Sequence, residues 1–185
     1  MKDIEIQRAH AGHIEGVVGL MQRAYRGEES RQGWTSEADL IDGDRTSPSE
    51  IAAILDDPNQ ILLVATSPSS GLIGCAVISR IDPSLGGASS TTCLFGKFAV
   101  EPKAQGGGLG KILLAAAEAA ASTEFHAQTM QMTVVEQRHE LIAFYKRRGY
   151  FATGNRVLMA DIHEDASMTK GHDLVLLEFE KDLTL

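Results

Sequence analysis

The chain has 185 residues, 43% of them hydrophobic and 23% charged, which suits one domain burying about 70% of the surface its unfolded form exposes. Its 17 lysines and arginines against 25 aspartates and glutamates leave a formal charge of −8, which argues against a general nucleic-acid binder, since that needs a basic face to displace counterions from phosphate. No apolar run approaches the roughly 18 residues that span a bilayer. Met1-Lys2-Asp3-Ile4-Glu5 lacks the apolar stretch of a secretory signal, and Cys75 and Cys93 are too few and too poorly spaced for a disulfide framework or a zinc site. The expectation is a cytoplasmic protein with two reduced thiols, no metal and no membrane or nucleic-acid partner.

Taken in chain order, Ile4-Glu5-Ile6-Gln7 alternates as a short strand, and residues 13–25 place Ile14, Val17, Val18, Met21 and Tyr25 at helical spacing. Residues 26–48 are polar and weakly periodic, yet include the only tryptophan, Trp34. A second helix starts at Ser47-Pro48-Ser49-Glu50, with Ser47 as cap and proline in the first turn, and stops before Pro58. The apolar run 60–66, the turn cluster 67–71 and the run 72–81 read as a hairpin. After the turn residues 82–87, a third run, 91–100, completes an antiparallel meander. Glycines open a long alanine-rich helix at 108–125; residues 129–135 read as a strand, 139–148 as a helix stopped by Gly149, and 157–162 and 174–180 as two further strands. The result is a single α/β domain over 1–185, with a mixed sheet and helices on both faces. The helix after Val100 gives a crossover long enough to set 129–135 parallel to the strand before it.

The most informative segment is Phe98-Ala99-Val100-Glu101-Pro102-Lys103-Ala104-Gln105-Gly106-Gly107-Gly108-Leu109-Gly110-Lys111. A strand ends, glycines follow, and a helix begins. Such a loop turns backbone N–H groups toward one point beside the positive end of a helix, which favours an anion such as pyrophosphate. The P-loop pattern fails at Gln105 and Ile112, where it needs glycine and a hydroxyl residue. The dinucleotide fingerprint fails at Lys111 or Leu113, and a meander precedes the loop where that motif needs a βαβ start. A plain connection would need one or two glycines, not four in five residues.

These residues resemble the signature of the GNAT superfamily of N-acetyltransferases: Gln or Arg, two variable residues, Gly, one variable residue, then Gly or Ala. Gln105-Gly106-Gly107-Gly108-Leu109-Gly110 matches it at every fixed position, with Val100 and Pro102 at the usual places upstream. The resemblance extends over the whole element order to Leu141-Ile142-Ala143-Phe144-Tyr145-Lys146-Arg147-Arg148-Gly149-Tyr150, which looks like the family's helix with a tyrosine before a Gly-aromatic pair. It implies a mostly antiparallel sheet with one splayed parallel pair, and acetyl-CoA as co-substrate. By resemblance, the backbone of Gln105, Gly106, Gly107, Gly108, Leu109 and Gly110 would bind the pyrophosphate, with Lys111 adding charge, and Phe98, Ala99 and Val100 would pair with the pantetheine arm much as an added strand would.

Attack of an amine on a thioester needs a neutral amine, a donor for the developing oxyanion and an acid for the leaving thiolate. The resemblance supplies the donor as a backbone N–H at or near Val100 and the acid as Tyr145. A phenol of pKa ~10 protonates an alkyl thiolate of pKa ~8.5 only with help from positioning, and Tyr145 also reads as a packed aromatic beside Phe144. Glu136, just past the strand 129–135, is the candidate base, with His139 as the alternative and a solvated surface charge as the plain reading. Many family members have Asn where this chain has Arg138, so Arg138 is either a substitute cofactor contact or a substrate-facing charge. Between the first two helices, which in this superfamily cover the acceptor, Trp34, Glu37 and Arg45 are candidates to bind substrate, or else pack and pair structurally. His10 and His13 lack a third metal ligand, and residues 163–172 read as a polar loop. The expected activity is acetyl transfer to a primary amine of a small molecule. A protein or peptide acceptor, or a non-catalytic acyl-CoA-binding module, remains an alternative, and a homodimer through the C-terminal strands, frequent in the superfamily, stays open.

Overall fold

A computed structural model describes residues 4–33, 35–41, 43–81, 91–159 and 173–184. Seven strands form one sheet in the order β1-β2-β3-β4-β5-β7-β6: β1 (Glu5–Arg8), β2 (Gln60–Ser67), β3 (Gly71–Arg80), β4 (Thr92–Val100), β5 (Thr129–Val135), β6 (Phe151–Leu158) and β7 (Val175–Asp182). The helices are α1 (Ile14–Tyr25), the single turn α2 (Gly27–Ser30), α3 (Pro48–Asp56), α4 (Leu109–Phe125) and α5 (His139–Lys146). The expected meander is present, since β2, β3 and β4 pair antiparallel, and β4 and β5 are the one parallel pair among the described strands.

β2 and β3 read as unbroken apolar runs because both faces are covered. Ile61 and Leu63 of β2, with Ala76 and Ile78 of β3, pack under α4 among Leu113, Leu114, Ala117 and Ala121. The intervening Leu62 and Val64, with Cys75 and Val77, pack under α1 and α3 against Val17, Leu20, Met21, Ile51 and Ile54. The Ser47 side chain accepts from the Glu50 N–H at 3.2 Å, as its cap reading requires.

Two expectations shift. The first of the two C-terminal strands lies at Phe151–Leu158 instead of 157–162, because Phe151 directly after the Gly149 turn already pairs with Glu180 of β7. Its residues are mostly exposed, so the alternation that marks a strand is weak there. Residues 160–162 lie outside the described residues, as do Trp34, the turn 82–87 and the loop 163–172. In 26–48, α2 adds a helical turn that a weakly periodic segment does not announce.

β4 and β5 share only the pairs Thr92–Thr129, Cys93–Met130 and Leu94–Gln131. Beyond Leu94 they diverge, while β4 continues along β3 to Val100. This opening positions the site. α4 crosses the sheet directly on Gly74, where an added Cβ would stand 3.2 Å from Leu113 Cδ2 and 3.3 Å from Ala65 Cβ. Gly74→Val should therefore overpack the helix–sheet contact and destabilise the fold by about 1–3 kcal/mol, seen as a lowered urea midpoint with an unchanged slope. An unchanged midpoint would mean that α4 does not press on β3 at this point.

Candidate active site

The glycine loop keeps its amides free. Gly106 and Gly108 hold φ of +79° and +87°, a region costly for side chains with a Cβ. The Lys111 and Ile112 N–H groups donate to the Gly108 carbonyl at 3.1 and 3.2 Å. Among the described residues, the N–H groups of Gly106, Gly107, Gly108, Leu109 and Gly110 have no acceptor, leaving five donors at the positive end of a 17-residue helix. The Gln105 N–H differs, because it donates to the Pro102 carbonyl at 3.2 Å. The Gln105 side chain turns inward, and its Nε2 donates to the Val100 carbonyl at 3.0 Å and to Thr35 Oγ1 at 2.8 Å. It thus ties the loop to the segment between α2 and α3. A Cβ at Gly33 would fall 2.6 Å from Gln105 Oε1, so a larger residue there would displace the Gln105 amide. Lys103 and Lys111 are exposed beside the loop.

The end of β4 presents unpaired backbone to the opening. The Glu101 N–H donates to the Ile73 carbonyl at 2.9 Å, so on an alternating ladder the N–H and C=O of Val100, opposite Gly74, face away from β3 toward the gap beside β5. A register shift opposite Cys75–Val77, with Lys97 at φ +44°, twists the strand just before this point. The Phe98 carbonyl accepts the hydroxyl of Tyr25, a residue whose helical spacing marked it only as core.

Tyr145 is buried among aromatic rings, with centroids 6.4 Å from Phe95, 5.2 Å from Phe144 and 5.8 Å from Tyr150, all near edge-on. Its hydroxyl forms no hydrogen bond among the described residues. It lies within electrostatic reach of the Tyr25 hydroxyl and of Arg138, and burial pushes its phenol well above the ordinary value. Burial does the same to Tyr25, so both phenols stay protonated and act as donors.

Glu37 and Arg45 come together, and with them two arginines that residue patterns gave little reason to group. The Glu37 carboxylate accepts from Arg26 Nη1 at 2.7 Å and from Arg138 Nη1 at 3.3 Å, and stands 3.7 Å from Arg45 Nε. Arg45 lies over the Tyr25 ring, 5.0 Å from its centroid. The cluster joins the segment after α1 to the end of β5, where the Arg138 N–H donates to the Val135 carbonyl. Glu136 forms an ion pair with Arg156 of β6 at 2.8 Å, and His139 is exposed at the start of α5. His10 and His13 close a 3₁₀ turn, His10 Nδ1 accepting from the Gly12 N–H and His13 Nδ1 from the His10 N–H. Among the described residues no group of three His, Cys, Asp or Glu could hold a metal, and no helix is long and apolar enough to cross a membrane. Cys75 and Cys93 are buried free thiols, pushed by burial up to about 12 and about 11.

Removing one partner of a buried ion cluster strands the others. Glu37→Ala should therefore lower stability by about 3–5 kcal/mol, measured by urea denaturation at neutral pH. A loss below about 1 kcal/mol, the worth of a surface pair, would mean that water screens the three guanidinium groups.

No curated protein sequence matches the chain. Among solved structures, a chimera built on the spermidine N-acetyltransferase of Vibrio cholerae superposes with a TM-score of 0.70 at 14% identity, covering 99% of this chain and 97% of its own. The spermidine/spermine N-acetyltransferase of the same organism gives 0.68 at 13%, covering 98% and 94%. An IAA acetyltransferase from Bacillus cereus gives 0.65 at 16%, covering 97% and 99%. At such identities these likenesses speak for the fold. The family model for the acetyltransferase (GNAT) family matches residues 21–150, a span that runs from α1 through the glycine loop to Tyr150 and includes every element around the opening, so the chain belongs to the GNAT acetyltransferase family.

Proposed function

We propose that this protein transfers the acetyl group of acetyl-CoA to the primary amine of a small molecule by direct attack, with no covalent enzyme intermediate. The observation that carries the reading is the row of acceptor-free N–H groups from Gly106 to Gly110 at the start of α4. Five convergent donors at a helix N-terminus, with Lys111 beside them, suit the pyrophosphate of the co-substrate. In the proposal, Gln105 acts through its side chain and holds the loop against Val100 and Thr35. Phe98, Ala99 and Val100 offer the strand edge for the pantetheine amides, and the Phe98 carbonyl can receive one of them alongside Tyr25 because it has two lone pairs.

The Val100 N–H, facing the gap, is assigned to the developing oxyanion. Tyr145 is assigned to the leaving sulfur. Its raised pKa makes full proton transfer to a thiolate uphill, so the phenol acts chiefly by hydrogen bonding as charge develops. The proton of the incoming ammonium leaves through water past Glu136, which pairs with Arg156 at 2.8 Å, and the second N–H proton, lost as the tetrahedral intermediate collapses, neutralises the departing thiolate. Structural neighbours that act on spermidine support a small amine as acceptor at the general level. A homodimer, if formed, has a natural surface in the edge strand β6, which exposes Phe151, Val157 and Leu158.

Gly108→Val places a β-branched residue at φ +87° and should weaken acetyl-CoA binding by about 100-fold or more, the worth of two charge-assisted hydrogen bonds; calorimetric titration measures it, and unchanged affinity would remove the loop from the cofactor site. Tyr145→Phe should lower kcat by about 10- to 100-fold while acetyl-CoA affinity stays within about twofold. A large loss of affinity with little change in kcat would make Tyr145 a packing residue.

A further inference from the structure

Among the described residues, the cluster around Glu37 holds more positive charge than the acids beside it neutralise. Arg26, Arg45 and Arg138 converge on the single carboxylate of Glu37. The next acid, Glu50, lies within electrostatic reach of Arg45, but its carboxylate already takes Lys97 Nζ and Thr46 Oγ1, each at 2.5 Å. Two positive charges are therefore in excess over these six residues. Three enclosed nitrogens, Arg26 Nε, Arg45 Nε and Arg138 Nη2, have no hydrogen-bond partner among the described residues. The Arg26 and Arg138 side chains are only 7% and 8% exposed, so bulk solvent reaches them little. Buried charged donors left short of acceptors are costly, and a fold that keeps several of them together points to an anion that completes the set.

The cluster's position says which anion. Arg45 covers Tyr25, whose hydroxyl donates to the Phe98 carbonyl on β4, and Arg138 lies within electrostatic reach of Tyr145. The excess charge thus borders the place where the amine must meet the thioester, while the glycine loop lies on the far side of Gln105. Arg45, with 29% of its side chain exposed, is the most accessible of the three arginines. Arg26 and Glu37 form a fixed backing behind it.

We propose that Arg45 and Arg138 receive a carboxylate carried by the acceptor, so that the substrate is an amino acid and not a polyamine. This rests on the reading of the opening as an acetyl-transfer site. Planar guanidinium groups match a carboxylate two bonds at a time, and anchoring it there holds the amine a fixed distance away, toward Val100 and Tyr145. A polyamine would bring further positive charge against two that are already unbalanced.

The test compares matched acceptors by CoA release: phenylalanine, phenylalaninamide and phenethylamine, the corresponding methionine set, and spermidine. The acids should exceed their amides and decarboxylated amines in kcat/KM by about 10- to 100-fold. Arg45→Gln should bring that ratio close to one, chiefly through KM, and Arg45→Lys should keep part of it. Equal or better use of carboxylate-free amines or spermidine by the unmodified protein would overturn the anion site and leave acetyl transfer standing. Calorimetric titration of the same acids and amides into the CoA-saturated protein gives a second readout. A binding preference for acids that Arg45→Gln abolishes, without acetylation of any amine, would uphold the anion site and overturn the transfer reading; no preference in either assay would overturn the proposal.

Discussion

β4 and β5 are hydrogen-bonded over three residue pairs and then part company, and nearly every feature of the site follows from that divergence. Backbone polar groups inside a protein need partners. Beyond Leu94 one edge of β4 has no strand to supply them. The Phe98 carbonyl takes a hydroxyl from α1, and the Val100 carbonyl takes an amide from the glycine loop. The Val100 N–H is left facing the gap. Aromatic rings gather at one side of the opening, where Tyr145 meets Phe95 and Phe144 edge-on and Phe98 packs tilted against both phenylalanines, and the arginine cluster links the segment after α1 to the end of β5. A broken ladder is thus both the structural problem and the source of the unpaired strand edge at the end of β4.

Charge is distributed against the average. A chain with a net charge of −8 places five free amides and two lysines at one end of its cleft and three arginines at the other. In the proposed reading the local field at each end suits an anion, and the overall acidity belongs to the remaining surface.

The fold was largely legible because its signals are local. The period change from two to 3.6 around Val100, the Ser47 cap and the glycine run each depend on neighbours in sequence. The glycine loop at the start of α4 was legible for the same reason. What escaped was long-range: Tyr25 sits at a helical core spacing that hides its hydroxyl's bond to Phe98, and Arg26 and Arg138 are separated by 112 positions yet share one carboxylate. Such pairing is set by how α1, the segment after it and the end of β5 meet over the opening, which no window of sequence contains. Glu136 was chosen for its place at a strand end, and that placement could not show that Arg156 of β6 stands opposite it. β6 itself was misplaced because a strand with exposed faces leaves little alternation to read.

The central claim is that the divergence of β4 from β5 makes one continuous acetyl-transfer cleft from the glycine loop to Tyr145. A crystal structure with CoA bound tests it most directly. The account predicts pyrophosphate oxygens within hydrogen-bond distance of the Gly106–Gly110 N–H groups, pantetheine alongside Phe98–Val100, and the thiol sulfur between the Val100 N–H and the Tyr145 hydroxyl. CoA bound on another face, or a sulfur that ends away from Tyr145 with the opening filled by side chains, would contradict it.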